Sequence, residues 1–136
     1  MGAWGMGTFE NDDAMDWIAD FSASPSDEAL RAALARPADA DGYLESPDAS
    51  NALAAAEVVA ALKGAPTANV VVVEDYLPAI ARSEISVTED LTALALRAID
   101  RVVSDSELKE LWDEVDDASV WRAEVAALRD RVAGRT

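Results

Sequence analysis

The residues able to do chemistry in this chain are mostly carboxylates, and they come in two settings. Glu10, Asp12, Asp13, Asp16 and Asp20 crowd one short stretch near the N-terminus. Asp13, Asp16 and Asp20 recur at spacings of three and four, which puts them on one face of a helix. Oxygen ligands gathered in this way suit hard divalent cations such as Ca²⁺ and Mg²⁺. Most simply, the same carboxylates are helix caps and the solvated face opposite an apolar stripe; a surface for a basic protein is the functional alternative. The second setting is Glu57, alone among alanines and valines in the run Ala54 to Ala61. A carboxylate buried there without a partner would be costly. An ion pair with an arginine of a neighbouring helix resolves this, with Arg97 or Arg101 as candidates. A pocket carboxylate used in proton transfer or metal binding is the chemical alternative.

The absent residue types narrow the chemistry further. There is no cysteine and no histidine. Disulfides, thiol nucleophiles and Cys-ligated zinc are therefore excluded. So are any Ser-His-Asp arrangement and the Glu-x-x-His pairs of diiron bundles. Gly5-Met6-Gly7 lacks the later glycine and lysine of a phosphate-binding loop. Asp39-Ala40-Asp41-Gly42 looks like a fragment of a calcium-binding loop. Aligned on Gly42, however, it has Pro37 at the first ligand position and Asp48 at the twelfth. It reads as a turn. No catalytic residue, metal ligand or cofactor is expected.

Twenty-seven acidic residues against 11 basic ones give a net charge of −16. Residues 1–30 hold seven of the carboxylates and no lysine or arginine. Such a field opposes nucleic acid, whose affinity comes largely from basic side chains neutralising phosphates. It equally opposes anionic membrane surfaces. No basic region followed by an apolar run marks a signal peptide. Met6 stands where a myristoylation motif needs serine or threonine. No apolar run is long enough to span a bilayer. The expected location is cytoplasmic.

The elements that would position these carboxylates are helical. Asn11 is an N-cap, with Asp12 and Asp13 in the first turn where the helix dipole favours acids. Ala14, Trp17, Ile18 and Phe21 then form an apolar stripe. Ser24-Pro25-Ser26-Asp27 reads as the next start, with Ser24 as cap, and Leu30, Ala33 and Leu34 as its stripe. Pro37 should end that helix, because the residue before proline is pushed out of helical conformation. Ser46-Pro47 opens a third helix to about Lys63. This one is apolar on nearly every side and is therefore central; Gly64 stops it. Val70 to Val73 favours a strand by propensity, but no partner strand exists and the spacing through Tyr76, Leu77 and Ile80 is helical. A helix is expected there, with Pro78 kinking it or starting a new turn. Thr88 caps a helix carrying Leu91, Leu94, Ala95, Ala98, Ile99, Val102 and Val103 as its stripe. Ser104 and Glu107 make a capping box for the next, with Leu108, Leu111, Trp112 and Val115 as its stripe. Asp116-Asp117 caps a last helix with Trp121, Val125, Leu128 and Val132 in line, ended by Gly134.

The run M-G-A-W-G-x-G-x-F-E-N-D-D-A-x-D-W at residues 1–17 resembles the N-terminal signature of an uncharacterised bacterial family, domain of unknown function 4259. Ala54 to Leu62, Ala95 to Val102 and Ser106 to Trp112 resemble later parts of it, in the expected order. Thr8 stands where that signature more often carries proline. The resemblance implies a small bacterial protein without established activity, and it transfers no functional residue.

The expectation is an all-α, single-domain bundle of six to seven short helices over residues 1–136. An irregular Gly- and Trp-rich arm, residues 1–10, is anchored on it by Trp4 and Phe9. The function expected is a non-enzymatic acidic interaction module for a basic protein, of inhibitor or immunity type. The alternatives are a carboxylate- or divalent-metal-dependent enzyme and a structural subunit of a larger assembly.

Overall fold

The structure is a computed structural model and describes residues 8–39, 42–114 and 118–134. The described residues form eight α-helices and no strand. They are α1 (Asp12–Ala23), α2 (Asp27–Asp39), α3 (Ser46–Leu62), α4 (Val70–Asp75), α5 (Leu77–Ala81), α6 (Glu89–Ser104), α7 (Glu107–Asp113) and α8 (Ala118–Ala133). The chain is an all-α bundle built around α3, which packs against α1, α2, α5, α6, α7 and α8.

The reason lies in the composition of α3. From Ala52 to Ala60 every residue is buried, and five of them are alanines. Small side chains let the neighbouring backbones approach closely on all sides. The surrounding helices each supply one stripe: Ala14, Ile18 and Phe21 from α1, Leu30 and Leu34 from α2, Leu91, Ala95, Ala98, Ile99 and Val102 from α6. Trp121, Val125, Leu128 and Val132 of α8 are all buried, as their spacing predicts. The buried side chains form one contiguous cluster. Trp17 lies at its edge, half-buried, with its ring stacked on Phe21 at 5.0 Å.

Several boundaries differ from expectation. Serine caps α2, but the cap is Ser26, whose hydroxyl accepts from the Ala29 N–H, and not Ser24. Pro37 does not end α2; the helix runs to Asp39 with the proline inside its last turn. One backbone donor is lost there, but the ring is buried and extends the Leu30–Leu34 stripe by a further turn. The Val70–Val73 segment is helical. It breaks at Tyr76, and Pro78 sits in the first turn of α5, so two short helices replace one. This raises the helix count above six or seven. Trp4, Val115 and the Asp116-Asp117 cap lie outside the described residues, as do Ala40 and Asp41 of the turn after α2.

The capping box at Ser104 does not form. Ser104 is the last residue of α6, and Ser106 caps α7 by accepting from the Lys109 N–H. Glu107 turns instead to the start of α3, where its carboxylate accepts from the Ser46 N–H at 2.8 Å. The Glu107 N–H donates to the Leu44 carbonyl, also at 2.8 Å. Glu45, at the N-cap position of α3, contributes no side-chain cap. Glu107 thus adds an anion from another helix to Asp48, which already lies in the first turn of α3 at the positive end of its dipole.

Candidate functional site

Glu57 is 5% exposed, in the middle of α3. Its carboxylate accepts from the Arg131 guanidinium of α8 at 2.6 Å. The same nitrogen also reaches the Ala65 carbonyl at 3.3 Å, just past the end of α3. The ion pair expected for Glu57 therefore exists, but its partner is Arg131. Arg97 pairs with Asp39, and Arg101 bonds the Gly42 and Asp105 carbonyls. Both of these arginines belong to α6 and tie it to the end of α2 and its own C-terminal turn. Arg131 follows Leu128 by three positions and precedes Val132, so it flanks the buried stripe of α8. That position was the available sequence signal.

A cavity of about 10 Å³ lies beside Glu57, between Phe9, Ile18, Val72 and Ile80. It is large enough for one water at most. Phe9 lines it and is buried. Two shallow grooves open on the surface. One holds Lys63 and Glu89, the other the Arg36–Asp48 ion pair beside Trp17. Neither brings together the several titratable groups that acid–base catalysis draws on.

The N-terminal carboxylates fall where their spacing puts them. Glu10, Asp12, Asp13, Asp16 and Asp20 are all exposed. Asn11 caps α1, its side chain accepting from the Ala14 N–H at 2.8 Å. Asp13, Asp16 and Asp20 face solvent opposite Ala14 and Ile18. Among the described residues no group of three or more Asp, Glu, His or Cys is arranged to hold a metal ion.

The distribution of ion pairs separates the carboxylates into two sets. Asp27, Asp39, Asp48, Glu57, Asp100, Asp105 and Asp113 are each matched by an arginine or lysine. Asp113 receives both Lys109 of its own helix and Arg122 of α8. The Lys109 hydrogen bond, with the Arg122 charge, holds the Asp113 carboxyl below the usual range. Tyr43 donates to Glu110 at 2.8 Å, and this bond pushes its phenol up to about 12. Lys63 closes the end of α8 by donating to the Val132 carbonyl at 2.7 Å. Asp13, Asp16 and Asp20 have no such partner among the described residues.

Fold and site together define an all-α bundle with a buried structural ion pair and a first helix whose Asp13, Asp16 and Asp20 have no cation partner among the described residues. No helix of the described residues is long and apolar enough to cross a membrane. The chain belongs to the family described as domain of unknown function 4259, whose model matches residues 2–124. Comparison with curated proteins and with solved structures finds no match.

Proposed function

We propose that this chain is a non-enzymatic acidic interaction module, one domain over residues 1–136, that binds a basic protein through the outer face of α1. Asp13, Asp16 and Asp20 form the centre of that surface, with Glu10 and Asp12 at its edge. One observation carries the reading. Nine of the 11 basic residues are committed elsewhere in the bundle, to ion pairs or carbonyls, and no described cation pairs with the three aspartates of α1. Unmatched surface charge of one sign steers an oppositely charged partner and discriminates against others. An inhibitor or immunity-type role toward a basic toxin is one concrete form, and cytoplasmic residence accords with it.

The test compares the wild-type chain with the triple variant Asp13→Asn, Asp16→Asn, Asp20→Asn, both immobilised and exposed to lysate of the source cells. The expected result is one stoichiometric basic protein held by the wild type at moderate salt and lost by the variant. Equal retention by both chains, or nothing retained by either, would overturn the reading. The triple variant should unfold close to the wild-type temperature, because the like-charge repulsion it removes offsets the loss of the favourable Asp13 charge in the first turn of α1.

A further inference from the structure

Of the four valines of α4, only Val72 enters the core. Val70, Val71 and Val73 are 62%, 48% and 39% exposed. At about 100° per residue they fan across the side opposite Val72. Glu74 lies within that fan, four residues after Val70 and three after Val71, with Asp75 beside it. Both acids are exposed and have no cation partner among the described residues. The fold supplies no reason for this face. One valine suffices to fill the core, Asn69 already caps the helix, and exposed valine is a mediocre helix former. Valine does bring one useful property, since its χ1 is nearly fixed in a helix. A valine face is therefore rigid before anything docks on it, and little side-chain entropy is lost on contact.

We propose that the outer face of α4 is a docking surface for a cationic amphipathic segment of the basic partner. Apolar side chains of that segment cover Val70, Val71 and Val73, and its lysines or arginines meet Glu74 and Asp75. The proposal rests on the basic-partner reading and adds a second, apolar contact to it. Charge complementarity selects this occupant: a second copy would bring another net charge of −16 against the same acids, whereas a basic segment is attracted by them.

The test maps backbone amide shifts of the isotopically labelled full chain during titration with two synthetic probes. One is a short amphipathic helix with leucine on one face and lysine on the other; the second is a lysine-only peptide of equal length. The expected result is that the leucine–lysine probe shifts Val70 to Asp75 most strongly, while the lysine-only probe leaves those amides nearly unmoved. Val71→Thr with Val73→Thr removes two methyl contacts without changing shape and should weaken the leucine–lysine probe about tenfold. The same double variant alone should unfold at the wild-type temperature and sediment as the wild type does.

Shifts confined to Asp13–Asp20, equal for both probes, would overturn the α4 surface and leave the basic-partner reading standing. No shift anywhere at low salt would sink both. A melting point several degrees lower in the double variant would show the valines covered by the chain itself. A change in its association state would show them covered by a second copy. Either result would overturn the proposal.

Discussion

Glu57 and Arg131 meet from positions 74 residues apart, and the pair joins the centre of α3 to the last turns of α8. The two sides differ in exposure: 5% for the Glu57 side chain and 21% for Arg131. Replacing Glu57 with Ala leaves a cation that reaches water only in part, and the lost stability should be toward the lower end of ~3–5 kcal/mol. Replacing both, Glu57→Leu with Arg131→Met, should recover most of that loss or exceed the wild type, because apolar groups of similar volume need no mutual desolvation. Urea unfolding of the two variants checks this; a double variant as unstable as the single one would show that the pair is not the issue. The burial of Glu57 and its need for an arginine were legible from its neighbours in sequence. The identity of the arginine was not. Arg97, Arg101 and Arg131 all flank apolar stripes, and only the packing of α8 against α3 brings one of them to the carboxylate.

Helix ends show which local signals survive tertiary packing. Gly64 has φ +88°, and α3 closes in a Schellman arrangement, with Ala65 N–H to the Ala60 carbonyl and Gly64 N–H to the Ala61 carbonyl. A Cβ at Gly64 would meet nothing within 4 Å. Gly64→Ala should therefore cost only its backbone strain, about 1–2 kcal/mol by denaturant unfolding. The α7–α8 junction depends on Asp113, held by Lys109 and Arg122 next to the Trp112–Trp121 stack, whose centroids lie 6.5 Å apart. Its carboxyl titrates lower in the folded chain than in the unfolded one, so its contribution is present above the ordinary value of 3.8 and fades as pH falls through the folded value. Near-ultraviolet circular dichroism should show the tryptophan signal weakening on acidification, and Asp113→Asn should show it already weakened at neutral pH. An unchanged signal in Asp113→Asn would remove Asp113 from the junction. Caps made by a side chain to its own helix, such as Asn11 and Thr88, were readable because both groups lie within three residues. Ser24 and Ser104 do not cap, because Ser26 and Ser106 offer the same hydroxyl two residues on. Glu107 had a better acceptor role waiting at Ser46.

Across the whole molecule, a net charge of −16 leaves a large excess of carboxylates, and their mutual repulsion opposes the compact state. Screening it should raise the melting temperature as NaCl increases from low to moderate ionic strength. MgCl₂ at equal ionic strength should do no more than NaCl, since no described cluster is arranged to hold a metal. A larger shift with magnesium would point to a specific cation site.

The sequence by itself determined the helical class, the central place of α3, the stripes of α1, α6 and α8, and the solvent side of the α1 carboxylates. These follow from periodicity and composition, which act within a few residues. Tertiary structure alone decided that Arg131 answers Glu57, that Glu107 caps α3, that Pro37 stays inside α2, and that three of the four valines of α4 face outward. Each depends on which helix lies against which. That is settled by the summed burial of many side chains far apart in the chain, and no local pattern encodes it.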